Sequence, residues 1–387
     1  MPQKDQKFFK DRYADALFIQ NARRTIVLND VKPITLGNAL QYNIKNMGVV
    51  EGYTIVLTVP VTIGTAPVTL NQRGLAALLP SVVLADQYNN RRCFMSAHEI
   101  EQITFGNVRN KFGLGQISES VSSALFSGTN NTGYVTNYQT PDFNGAVGAQ
   151  VIRYELYVPC CVNSHDVSPD NIDLRGIMNL NAVVGNATFT LTMPPALVSA
   201  TANDNVPFLS ATGTVTAGAM TVEIISHTFD LTPAGIELPL ESFKSIMYLE
   251  SQPAQSSNII ANAIVNYQLP AGRDIIRTGF HYMNANQLAA GSGSAASDIA
   301  ALTFRADATT NSVPLIGQRN IQNYMANMLG FSPVRGSYLW EFDPEWNIAK
   351  DRAASFDIQY GATVNSGATL KQFYMSTAPA NVSLAPA

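Results

Sequence analysis

The densest cluster of chemically capable side chains is Tyr338-Leu339-Trp340-Glu341-Phe342-Asp343-Pro344-Glu345-Trp346, where Glu341 and Glu345 flank two tryptophans. Two carboxyls a few ångströms apart, with aromatic platforms for sugar rings, are what glycoside hydrolysis or glycan binding requires. The same residues also read as structure. Tyr338, Trp340 and Phe342 alternate as one face of a strand, and Asp343-Pro344 is a turn. His98, His165, His227 and His281 are scattered, without the close pairs that a zinc site uses. His98 falls at a helix start, and His227 and His281 fall in strands. Lys111-Phe112-Gly113-Leu114-Gly115 is a glycine-containing turn with no strand–glycine–helix unit around it. G-x-S-x-G, H-E-x-x-H, P-loop and C-x-x-C motifs are missing. The expectation is a chain without catalytic residues, without a metal and without a cofactor. Cys93, Cys160 and Cys161 cannot build a disulfide framework, and a bridge between adjacent cysteines is strained. They are expected to pack as small hydrophobes, in a protein that folds in reducing cytoplasm.

Strands must position most of these residues. In 53–63, Tyr53, Ile55, Leu57, Val59, Val61 and Ile63 share one face, and Thr54, Val56, Thr58 and Thr62 the other. Pro60 lacks a ladder donor and is expected at an edge or bulge. The same period of two runs through 151–158, 187–193, 221–229 and 355–360. Each such strand needs an apolar partner layer, so a sandwich follows. Helices are few. Ser96-Ala97-His98-Glu99 is a capping box ahead of Ile100 and Ile103. Ile321, Tyr324, Met325, Met328 and Leu329 form a second helical stripe, ended by Gly330. Each helix follows a strand-like segment and an Asn- or Thr-rich turn, which suggests tandem modules. The break at Thr232-Pro233-Ala234-Gly235 divides the chain into an arm (1–24), a first β-module (25–235) and a second (236–387). Runs at 122–149, 199–218 and 284–297 have loop composition.

Charge narrows the function classes. Charged residues are 13% of the chain, about half of the ~25% usual in soluble domains. That suits a surface largely covered by other subunits. The net charge is −4, and no basic face runs along the strands, which argues against sequence-independent DNA binding; no specific nucleic-acid partner is expected either. Residues 1–24 hold six cations and three anions, so the arm carries +3 and the rest −7. Phe9, Tyr13, Ala16, Leu17 and Gln20 fall at helical spacing there. Lys4, Lys7, Lys10 and Arg12 are candidates for contact with an anionic membrane or with neighbouring subunits. A helix packed under its own domain is the alternative for this segment. No signal-peptide h-region and no run of ~18 apolar residues is visible.

Three stretches then carry a resemblance. Val151–Pro159, the connection 166–180 and the strand 187–193 resemble consecutive elements of the first jelly roll in double jelly-roll major capsid proteins. The stretch 222–229, followed by Glu237-Leu238-Pro239-Leu240 and 245–250, resembles the crossover into the second roll; 48–53, 354–361 and 370–375 also fit. The likeness is to the tectivirus type, from tailless icosahedral phages with an internal membrane. It implies an all-β chain of two tandem eight-stranded jelly rolls, with a short N-terminal helix and short helices in connections. It also implies a homotrimer that is a pseudo-hexameric capsomer in an icosahedral virion. The implied partners are neighbouring capsomers, a separate vertex or penton protein, minor capsid proteins and an internal viral membrane. The alternative is a secreted double jelly-roll glycan-binding protein or glycan hydrolase.

Overall fold

The computed structural model describes residues 13–71, 73–104, 145–164, 172–180, 185–201, 203–230, 240–255, 259–270, 272–284, 287–288, 299–305, 315–316, 336–342, 354–362, 364 and 367–379. Among these the chain is almost entirely β, in sheets of seven, nine, three and four strands. It is a double jelly roll.

The first roll closes around the long strand Val49–Gly64, which pairs antiparallel with Gly148–Pro159 on one side and with Met220–Asp230 and Thr214–Ala217 on the other. Its inward face is the apolar set that the alternation predicts, from Tyr53 to Ile63, all buried. Strands Ala39–Asn43, Thr188–Thr192, Ser81–Ala85 and Arg91–Met95 form the facing layer. Val, Ile and Leu dominate the core between them.

Pro60 departs from expectation, because it lies inside the central strand, paired with Val151. The reason is local. Its free side faces the connection between Thr214–Ala217 and Met220–Asp230, where Gly218 N donates to Pro60 O at 2.8 Å. The missing donor therefore falls at a gap in the ladder, so it costs no strand hydrogen bond. The 199–218 segment is also more ordered than its composition suggests. Phe208–Leu209 pairs with both Val198–Ser199 and Thr69–Leu70, and buried Phe208 anchors this small sheet.

The second roll places Ser245–Ser251, Ala368–Pro379, Asp274–Asn284 and Ser337–Glu341 opposite the sheet of Ile264–Gln268, Ser355–Tyr360, Ile299–Arg305 and Leu315–Ile316. The rolls are not merely adjacent. Ser245–Ser251 pairs parallel with Arg91–Met95, Leu249 opposite Cys93 and Glu250 opposite Phe94. One nine-stranded sheet thus runs through both rolls.

Residues 13–21 are helical, but the buried face is rotated from the expected stripe. Tyr13 is 67% exposed, whereas Asp15, Ala16 and Phe18 are buried. The rotation has a polar cause. Asp15 accepts from Leu174 N at 2.9 Å and from Ser242 Oγ at 2.7 Å, tying the helix under the first roll. Phe18 then meets Phe229 edge-on at 5.1 Å. The helical stripe 321–330, the loop 122–144, Trp346 and Glu345 lie outside the described residues.

Candidate functional site: the seam between the rolls and the outer faces

The helix Ala97–Ile103 forms as its capping box predicts: Glu99 N donates to Ser96 Oγ at 3.3 Å, and Ser96 N donates to Glu99 Oε2 at 2.8 Å. Its setting is unusual. Every residue in it is buried, including His98, Glu99, Glu101 and Gln102. Buried polar side chains are the informative exception to an apolar interior. The helix is wedged between Gly148–Pro159 of the first roll and Asp274–Asn284 and Ala368–Pro379 of the second.

Its polar groups reach across the seam. Glu99 Oε1 lies 2.6 Å from Lys371 Nζ, and Ser251 Oγ donates to the same oxygen at 3.3 Å. The rings of His98 and His281 are 4.8 Å apart, and His281 also packs on Phe373 at 4.5 Å. Burial holds both imidazoles well below the usual histidine range, with the Arg73 and Lys371 charges acting the same way. Glu101 accepts from Tyr154 Oη at 2.5 Å, yet burial pushes its carboxyl up to about 8. Arg277 extends the seam, pairing with Glu341 at 2.5 Å and donating to Ile103 O at 3.0 Å. Arg175 joins Asp173 at 2.7 Å to Thr377 and Asp274 of the second roll. Arg273 pairs with Glu250 beside the junction strands.

None of this is catalytic geometry. The described residues include no group of three His, Cys, Asp or Glu able to hold a metal. Glu341 is committed to Arg277, and Trp340 packs on Phe304 at 6.0 Å and Phe356 at 5.6 Å, at the rim of the second core. That is the structural reading of Trp340 and Glu341. Cys93, Cys160 and Cys161 are free thiols, all buried; burial pushes Cys160 up to about 12 and the others up as well. His227, in its strand, lies 2.7 Å from Thr54 Oγ1. His165, Lys111, Lys4, Lys7, Lys10 and Arg12 lie outside the described residues. Spacing could not show the seam, because its members come from residues 73–103, 154, 173–175, 250–251, 273–283, 341 and 371–377, which meet only in the folded chain.

The outer faces are apolar in places. Ile26 and Leu28 on the edge strand Arg23–Leu28 stand opposite His227 and Ile225 on one face of the seven-stranded sheet, and both are exposed. Val31 and Val151 are exposed on the first roll, and Ile260 and Ile264 on the second. Ile264 begins an edge strand. Unprotected apolar edges are an aggregation hazard unless another surface covers them.

No protein-family model and no curated protein matches this sequence. Solved structures do. The MCP of STIV, Sulfolobus Turreted Icosahedral Virus, superposes with a TM-score of 0.59 at 9% identity, over 92% of this chain and 97% of its own. A chain of the PBCV-1 virus capsid gives 0.54 at 11% identity, over 92% and 94%. The Faustovirus major capsid protein gives 0.50 at 9% identity, over 92% and 90%. The likeness spans both rolls of each and shows the double jelly-roll fold.

Proposed function

We propose that this chain is a major capsid protein of an icosahedral virus and has no catalytic role. The observation that carries the reading is the two-roll fold, which superposes on viral capsid chains over nearly their whole lengths. A two-roll block is a building unit; three such blocks make a six-lobed, pseudo-hexameric tile. The low charge and the exposed apolar edges favour the same reading, since a head-to-tail trimer can cover the Ile26–Val31 edge of one copy with another copy's surface. The capsomer would sit in the virion beside neighbouring capsomers and a distinct vertex protein, and would fold in host cytoplasm. The basic arm would meet an internal membrane or the next capsomer through Lys4, Lys7, Lys10 and Arg12.

Light scattering on the purified protein tests the assembly unit. A mass about three times the 41.8 kDa chain, persistent in high salt, is expected; a monomer would return the glycan-binding alternative. The arm is tested by neutralising Lys4, Lys7, Lys10 and Arg12 together. Removing residues 1–20 outright would also remove Asp15 and Phe18, which the first roll buries. The substituted protein should keep its trimer mass and lose particle assembly; unimpaired assembly would dismiss a role for these cations.

A further inference from the structure

We infer that the helix Ala97–Ile103 is a proton-sensitive latch between the two rolls, which releases when the adjacent imidazoles of His98 and His281 take up protons. The geometry is specific. Both rings are at most 1% exposed and 4.8 Å apart, one on the latch helix of the first roll and one on strand Asp274–Asn284 of the second. His281 stands directly opposite Lys371 on Ala368–Pro379 and opposite Ser337 on Ser337–Glu341. Arg73, at the entry to the short helical turn Gly74–Leu78, reaches the same strand by donating to Met283 Sδ at 3.0 Å.

Charged groups facing the pair among the described residues include Lys371 and Arg73, both cationic, and Glu99. Glu99 Oε1 is 3.9 Å from His281 Nδ1 but 2.6 Å from Lys371 Nζ. A proton on either imidazole places a third cation among two, with one carboxylate already engaged. Like charges directly opposite on neighbouring strands are destabilising, and both imidazoles are buried away from screening water.

The sign follows from linkage. The imidazoles are neutral when the latch is packed and titrate near their ordinary ~6.5 when it is released. Release is thus favoured as pH falls below ~6.5, by up to about tenfold per pH unit for each imidazole. Glu101, on the same helix, opposes this. Its carboxyl is pushed up to about 8 in the packed latch, and it ionises near ~4.3 when released. Between those values it favours release as pH rises, again by up to about tenfold per unit. The latch is therefore tightest near pH ~6.5. It loosens by up to about tenfold per unit on the acid side, where two imidazoles outweigh one carboxyl, and loosens again towards pH 8.

Hydrogen exchange of the full-length protein between pH 5 and 8, corrected for intrinsic rates, reads the opening constant of residues 97–103 and 277–283. Protection should peak near pH ~6.5, fall about threefold at one unit below and approach a tenfold fall per unit further down. His98→Gln should flatten the acid side, because one imidazole then balances Glu101. The double variant His98→Gln/His281→Gln should reverse it, with protection rising steadily towards acid. Glu101→Gln should abolish the alkaline loss and steepen the acid side towards a hundredfold per unit. If the double variant does not fold, the single variants decide. An acid side unchanged in His98→Gln would overturn the latch. So would an imidazole C2 proton of either residue titrating near ~6.5 while residues 97–103 remain protected.

Discussion

The two rolls solve the same packing problem with different side chains. The first core is built from Val, Ile and Leu on long alternating strands, with scattered aromatics such as Tyr53 and Phe189 meeting edge-on at 5.2 Å. Among the described residues, half of the second core's buried apolar side chains are Phe or Tyr, with a ring cluster around Phe356. Phe280, Phe304 and Phe342 all lie within 6.3 Å of the Phe356 centroid. An aliphatic core distributes its stabilisation over many modest contributions. An aromatic one concentrates it in a few large side chains. The first roll should therefore tolerate single truncations that the second does not.

The test with the largest expected effect sets the two centres against each other. Phe356→Ala should cost ~3–5 kcal/mol, and Ile55→Val in the first roll ~0.5–1.5 kcal/mol, read from denaturant midpoints. Because one sheet crosses both rolls, each variant should shift a single transition. Two separated transitions, only one of them moved, would mean that the seam does not couple the rolls. Trp340→Ala comes next. Its ring lies at the rim of the same cluster rather than within it, so a loss of ~3 kcal/mol is expected, at the low end for a buried aromatic. An unchanged melting temperature with lost glycan binding would restore the tryptophan cluster as a sugar site.

Much of this contrast was legible in the chain itself. The alternations at 53–63, 151–158 and 187–193 state which side chains face inward, because a strand's period of two is strictly local. The capping box at Ser96–Glu99 is equally local. What local patterning cannot carry is what happens to the helix afterwards. Ile100 and Ile103 suggest one apolar face, whereas packing between two rolls buries His98, Glu101 and Gln102 as well. The N-terminal helix fails in the same way: its orientation is set by Asp15 bonding to residues more than a hundred and fifty positions away. Pro60 is the converse case. A rule about strand interiors is satisfied by a gap in the neighbouring strand that only the register shows.

The seam supplies the next pair of tests, since its contacts belong to neither roll alone. Lys371→Met keeps the stem packing and leaves Glu99 buried without its cation. A loss of ~2–3 kcal/mol is expected, moderated because Lys371 is partly exposed. Gly279→Ala probes close packing on the neighbouring strand Asp274–Asn284, where Gly279 pairs with Phe373. A Cβ there would lie 2.3 Å from Phe373 Cζ, whose ring also contacts His281. The ring must move, at a cost of ~1–3 kcal/mol. If both variants melt like the parent, the seam is a passive contact, and the rolls differ only in their cores.

The smallest expected effect sharpens the comparison most finely. Ser96→Ala removes the hydroxyl that accepts from Glu99 N, while Glu99 retains its bonds to Ser96 N, Lys371 and Ser251. A solvent-exposed cap would lose ~1 kcal/mol. Here the freed Glu99 N–H is buried, so the loss should lie towards ~2 kcal/mol. It should appear as faster hydrogen exchange in residues 97–103 ahead of the strands on either side. A helix belonging to the first roll alone would instead lose protection together with strand Gly148–Pro159, leaving Ala368–Pro379 unchanged. Equal loosening of both neighbouring strands is the outcome expected of a helix that both rolls hold in place.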